Sequence, residues 1–270
     1  MHFPIPNKLI VFALIMILGV SSYLLLLKKT ENNPPASPTT VNVSGKTKVK
    51  YPQDYTIVLL GDSMTETLGN SVELKQFLSS HYPGKTFEVL NYGFGATNIL
   101  SVMNRITKET EHGRKFRPLN EIDYDLILLE SFGQNPLSEY GLEEGLKRQN
   151  EELLKIVDKL KETNPEGKIV FVATISPNKR LFAKNQVDLS DQKRAEWVNE
   201  RIAYIKNHIA YGESHQIPVI NIFAKSLMDN GDGNPDYIST DDYIHPSPTG
   251  IIFISREIAD FIYLNNIFPH

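Results

Sequence analysis

The sequence predicts an α/β domain built on a parallel sheet with helices on both faces. Three observations point there. Short, unbroken apolar runs rich in β-branched residues recur five times, segments of helical spacing stand between them, and the roughly 220 residues from Tyr51 onward suffice for one such core.

The five runs are TIVLL (56–60), FEVLNYG (87–93), YDLILLE (124–130), KIVFVAT (168–174) and IPVINI (217–222). Continuous apolar character, rather than alternation, marks strands buried on both faces, as parallel strands are. Between them, 72–80, 98–110, 142–162 and 192–211 carry helical spacing, and a last helix follows Pro248. There is no internal repeat. In open parallel sheets ligands gather at the carboxyl ends of the strands, so the segments that leave each strand are where chemistry is expected.

The chain has 270 residues, 41% hydrophobic and 22% charged, with a formal charge of −4. The first 27 residues carry +1 and residues 28 to 50 carry +4, which leaves −9 for residues 51 to 270. An acidic domain argues against a nucleic-acid partner, which needs a basic face. The absence of cysteine excludes disulfide scaffolds, thiolate zinc sites and cysteine nucleophiles.

Between Lys8 and Lys28 lie 19 uncharged residues, LIVFALIMILGVSSYLLLL. That matches the roughly 20 residues a helix needs to cross a bilayer, and the run is apolar on every side. Residues 1–29 therefore read as an N-terminal signal anchor, with membrane contact through 9–27. Tyr23 and four leucines follow the small residues Val20-Ser21-Ser22, which favours an uncleaved segment. Residues 30–50 read as a Pro/Thr/Lys stalk, with Lys46, Lys48 and Lys50 on a solvated linker, and 51–270 as the domain. Lys28 and Lys29 pull against translocation, yet long C-terminal domains cross largely regardless of nearby charge, so the expected location is extracytoplasmic.

The first strand runs into Gly61-Asp62-Ser63-Met64-Thr65, where a serine leaves the strand's carboxyl end and a glycine permits a sharp turn. A helix N-cap serine would look the same. Near the other end stands Asp242-Tyr243-Ile244-His245-Pro246-Ser247-Pro248. A serine nucleophile needs a base, and a histidine base needs a carboxylate to fix its tautomer. Asp242 and His245, three apart in a tight turn, supply both, and Ser247 with Pro248 begins the last helix. A hydrolytic site also needs donors for an oxyanion. Candidates follow the second strand, in Asn91-Tyr92-Gly93-Phe94-Gly95-Ala96-Thr97-Asn98, and the third, in Gly133-Gln134-Asn135-Pro136.

Other patterns point elsewhere. The acidic loop 229–236 lacks the glycine and glutamate positions of an EF-hand, so it reads as a solvated loop. His208 and His215 have no companion ligand and read as structural or surface residues. Asp62 reads as a loop hydrogen-bonding group, and Trp197 shows no spacing of a sugar-stacking platform.

Taken in order, the four blocks resemble those of the SGNH hydrolases, the GDSL esterase and lipase family, over residues 55 to 262. The resemblance implies a flavodoxin-like three-layer sandwich with a central parallel five-stranded sheet. It implies Ser63 as nucleophile, Asp242 and His245 as its triad partners, and an oxyanion hole of the Ser63 N–H, Gly95 and Asn135, with the Ala96 N–H as a rival to Gly95. Pro136 stands where the family has an aspartate. No metal or other cofactor is implied. The expected substrate is an ester, of O-acetylated envelope polysaccharide or of an acyl lipid such as a lysophospholipid. A non-catalytic envelope-binding module on the same fold, and acyl transfer to a sugar, are the alternatives.

Overall fold

The computed structural model describes residues 37–43, 46–184 and 186–269. Strands β1 (Thr39–Val43) and β2 (Lys46–Lys50) pair antiparallel. The central sheet holds β3 (Tyr55–Gly61), β4 (Phe87–Gly93), β7 (Leu126–Glu130), β8 (Lys168–Ala173) and β9 (Val219–Asn221). A third, small antiparallel pair, β5 (Thr110–Glu111) and β6 (Lys115–Phe116), stands apart. The central order is β4-β3-β7-β8-β9, and every pairing in it is parallel. The expected α/β class and five-stranded parallel sheet are both present, and the order reverses direction at β3, the kind of switch point where ligands bind.

The helices are α1 (Ser63–Glu66), α2 (Val72–His81), α3 (Val102–Thr107), α4 (Leu142–Thr163), α5 (Asp191–Ser214), α6 (Ile222–Lys225) and α7 (Pro248–Leu264). Successive side chains of a strand point to opposite faces, so β3 feeds two cores. Ile57 and Leu59 join Leu74 and Leu78 of α2 and Ile254, Ile258 and Ile262 of α7. Val58 and Leu60 join Val102 and Ile106 of α3 and Leu153, Ile156 and Leu160 of α4. That arrangement is the three-layer sandwich, and it explains why the central strands are apolar without alternation.

The segment expected as one helix over 98–110 is broken. Asn98 caps a 3₁₀ turn, Ile99–Ser101, by accepting from the Leu100 N–H at 3.1 Å, and α3 ends at Thr107. Chain from 110 to 116 then forms the β5–β6 hairpin, turning at Gly113 with φ +66°, which only glycine adopts without strain.

The stalk needs correction. Its described part is the β1–β2 hairpin, and Lys48 is 1% exposed rather than solvated. Its Nζ donates to Asn164 Oδ1 at 2.8 Å, and Val49 accepts from the Asp123 N–H at 2.8 Å. A lysine in an alternating Thr-Lys-Val-Lys strand is buried when the strand docks and a buried acceptor receives its charge. The compact unit accordingly begins at Pro38, not at residue 51. The anchor assigned to 1–29 lies outside the described residues. Among the described residues no helix is long and apolar enough to cross a membrane.

Candidate active site

The first block turns sharply because two glycines allow it. A Cβ at Gly61 would lie 2.0 Å from Thr65 Oγ1, and one at Gly93 would lie 2.2 Å from the Glu66 backbone nitrogen. Helix α1 can therefore press onto the ends of β3 and β4. Asp62, not Ser63, is its N-cap, with Oδ1 accepting from the Met64 N–H at 2.9 Å. That leaves the Ser63 hydroxyl free of capping duty.

At the other end of the chain Asp242 organises its own turn. Its Oδ1 accepts from the N–H groups of Ile244 and His245 at 2.8 and 3.1 Å, and Oδ2 bonds to His245 Nδ1. Tyr243 adopts a left-handed φ of 57° to close the turn. Ser247 caps α7 through the Gly250 N–H at 3.0 Å, with Pro248 in the first turn, as the sequence predicts. Burial would raise the Asp242 carboxyl, but the hydrogen bonds from the His245 ring and the two N–H groups outweigh it and hold the group below the usual carboxylate range.

Ser63, Asn135 and His245 line one open cleft of about 590 Å³, together with Gly95 and Ala96. The residues expected from both ends of the chain thus meet at the carboxyl ends of the strands. Among the described residues no hydrogen bond joins Ser63 to His245. Asn135 is fixed by Asp62, whose Oδ2 accepts from Nδ2 at 2.9 Å, so one amide hydrogen of Asn135 remains for a ligand.

Gly95 is less free than expected. Its N–H donates to His112 Nε2 at 3.2 Å, and the same nitrogen lies 2.9 Å from Glu66 Oε1. One ring nitrogen either accepts from Gly95 or donates to Glu66. Ala96, with φ 55°, follows directly, and its N–H has no partner among the described residues.

Beneath Asp62 lies a buried carboxyl that sequence reasoning missed. Glu130 ends β7, accepts from Ser131 Oγ at 2.6 Å and faces the Asp62 N–H at 3.4 Å. Burial first, and the Asp62 charge second, push it well above the carboxylate range, which favours its neutral form. Arg105, also missed, is buried and donates to Tyr92 O at 2.9 Å and to Thr97 Oγ1 and Ser101 Oγ at 2.6 Å each. It ties the end of β4 to the loop that carries Gly95. Burial lowers its pKa to about 10, against the pull of Asp62, Glu130 and Glu66. None of these has a local motif, because each is defined only by what the fold brings to it. His208, expected as structural or surface, is fully buried and stacked on Phe171.

A family model described as the GDSL-like lipase/acylhydrolase family matches residues 59–250. No curated protein sequence matches the chain. Among solved structures of the same fold is the lipase/acylhydrolase from Enterococcus faecalis, at TM-score 0.54 and 17% identity over 78% of this chain and 96% of that one. A GDSL-like lipase from Bacteroides thetaiotaomicron VPI-5482 reaches 0.54 at 14% identity, covering 78% and 89%. An acetyl xylan esterase reaches 0.53 at 11% identity, covering 77% and 99%. With the matching model spanning well over half of its length, the chain belongs to the GDSL-like lipase/acylhydrolase (SGNH) family and is a GDSL-type esterase/acylhydrolase.

Proposed function

We propose that Ser63 is the nucleophile of a serine esterase, with His245 as its general base and Asp242 as the group that orients and stabilises the imidazole. The observation that carries this reading is the Asp242–His245 couple opening onto the cleft that Ser63 lines. Asp242 takes Nδ1, so Nε2 is the nitrogen left to accept the serine proton. Ser63 Oγ attacks the ester carbonyl as His245 takes its proton. The tetrahedral oxyanion then receives the Ser63 N–H, the spare Asn135 amide hydrogen and a second-block N–H. Ala96 offers one outright. Gly95 offers another when His112 Nε2 carries its proton and donates to Glu66 instead. Collapse expels the alcohol, which takes its proton from His245, and water cleaves the acyl-enzyme with the same base. A ligand-free site often holds its serine and histidine apart, and the bond between them tightens when substrate is bound.

The substrate is an O-acetylated envelope polysaccharide, and the apolar run 9–27 anchors the enzyme beside it with the domain on the extracytoplasmic side. The basis is that uncharged run together with the open cleft that Ser63 lines, which leaves room for a polymer-borne ester. Purified full-length chain should hydrolyse p-nitrophenyl acetate and take a fluorophosphonate label on Ser63, and S63A and H245A should each lose both. Hydrolysis retained by folded S63A would overturn the assignment. Acetate released from wall polymer, against fatty acid released from lysolipid, separates the polysaccharide reading from a lipase.

A further inference from the structure

The cleft holds a polar pair that no step above uses. Arg201 on α5 and Gln134 in the loop after β7 line it alongside Ser63 and His245. The Arg201 guanidinium lies 4.7 Å from the ring centroid of Phe182 and 5.4 Å from that of Trp197, and Nη1 donates to Trp197 O at 3.0 Å. Its Nε is buried without an acceptor, and among the described residues no carboxylate lies within 4.0 Å of it. Burial lowers its pKa, with Glu200 acting the other way. Gln134 is 6% exposed, and neither its Oε1 nor its Nε2 has a hydrogen-bond partner.

Gly133 seats the loop that carries Gln134 against the helix that carries Arg201. A Cβ there would lie 2.3 Å from Ile205 Cγ1 and 3.3 Å from Arg201 O, so the absence of a side chain lets the Gln134 loop press onto α5. The other charged groups of the cleft are taken up internally, Glu66 by His112 at 2.9 Å and His245 by Asp242. A half-buried guanidinium with no carboxylate and a buried Nε without an acceptor, in one cleft with an amide that has no partner, is unfavourable in the resting protein. Both gain when a ligand supplies acceptors. The planar fork, held against two aromatic faces, matches a carboxylate or phosphate better than it matches an alkyl chain.

We propose that Arg201, with Gln134 in the same cleft, is a specificity-determining subsite for an anionic oxygen group, carboxylate or phosphate, borne by the substrate next to the ester that Ser63 attacks. The inference rests on the serine-esterase reading and deepens it: the ester belongs to an anionic molecule.

The test uses full-length protein and paired esters, each rate divided by that of hydroxide hydrolysis. p-Nitrophenyl hemisuccinate against p-nitrophenyl butyrate reads an acyl-side carboxylate. 4-Acetoxybenzoate and 4-acetoxyphenyl phosphate against phenyl acetate read an alcohol-side carboxylate and phosphate. In at least one pair the wild type should favour the anionic member in kcat/KM by tenfold or more, and added salt should shrink the preference. R201A should cut that ratio to about threefold or less. R201M, which keeps an apolar stem against Trp197 and Phe182, should do the same if R201A folds poorly, and R201K should fall between. A wild type that favours no anionic ester, while fluorophosphonate still labels Ser63, overturns the subsite alone. So does an equal loss on both members of a pair in R201M, which is what a purely structural arginine would give. No labelling and no hydrolysis of any ester overturns the esterase reading and the subsite with it.

Discussion

Asn135 Nδ2 donates to Asp62 Oδ2 at 2.9 Å, joining the loop after β7 to the residue that precedes Ser63. In the proposed mechanism the other Nδ2 hydrogen meets the oxyanion, so Asp62 decides where that hydrogen points. Asp62→Asn keeps an oxygen for the Met64 cap but can present its own NH₂ to Asn135. The expected result is a fall in kcat of about 10-fold to 100-fold, the scale of a misaimed catalytic group, with KM little changed. Asn135→Ala, which removes the donor itself, should cost about 10²-fold to 10³-fold. Steady-state kinetics on p-nitrophenyl acetate checks both, and an Asp62→Asn enzyme with full kcat would remove Asp62 from this role.

Asp242 is held below the usual carboxylate range, by hydrogen bonds from the His245 ring and two backbone N–H groups that outweigh its burial. It therefore stays ionised at every pH above about 4, and its support of His245 does not titrate in the working range. Asp242→Asn should lower kcat by about 10⁴-fold, the cost of the wrong histidine tautomer. Steady-state kinetics on p-nitrophenyl acetate at pH 8 measures it, and a folded Asp242→Asn enzyme with full kcat would remove Asp242 from this role.

Lys48 places the domain boundary. Asn164 receives its Nζ at 2.8 Å and in turn donates Nδ2 to Tyr124 O at 2.7 Å, so the hairpin is tied through one buried amide to the segment before β7. Lys48→Ala leaves that amide oxygen without the lysine and should lower the unfolding free energy by about 1–3 kcal/mol. A chain beginning at residue 51 should lose at least as much. Urea unfolding of the three proteins is the measurement, and equal stability of the 51–270 fragment and the full chain would restore the boundary to residue 51.

What could be read ahead of the structure followed from how local each signal is. The run FEVLNYG is a strand over Phe87–Gly93 because its apolar, β-branched content needs no partner to be recognised. The Asp242–His245 turn was legible because both groups sit within one loop, closed by a capping serine and proline. Lys48 was not, since an alternating Thr-Lys-Val-Lys stretch has the same pattern whether it meets water or Asn164. Glu130 closes the apolar run 124–130 with nothing local to mark it, and only the β3–β7 pairing sets it against Asp62. Arg201 and Gln134 lie 67 positions apart and share a cleft only because Gly133 lets β7's loop touch α5. Long-range juxtaposition of polar groups leaves no periodicity.

His208 makes the fold sensitive to acid. It is fully buried on α5, stacked on Phe171 with ring centroids 4.2 Å apart, and its Nε2 lies 3.2 Å from Leu129 O. A carbonyl can only accept, so Nε2 carries the proton and Nδ1, which has no partner, stays bare. A second proton would place a charge in the core with no acceptor, and burial accordingly lowers the pKa to about 3. The unfolded chain takes up that proton near pH 6.5, the ordinary histidine value. Between about pH 6.5 and 3 the unfolded state therefore binds more protons than the folded one, and stability falls as pH falls. From pH 7 to pH 5 this one group should remove about 2 kcal/mol of unfolding free energy. His208→Phe keeps a ring against Phe171 but cannot titrate. It should be less stable at pH 7, by about 0.5–1.5 kcal/mol for the hydrogen bond to Leu129 O that is lost, and should lose about 2 kcal/mol less than the wild type on going to pH 5. Urea unfolding of both proteins at the two pH values measures the difference, and the same acid loss in both would place the sensitivity in other groups.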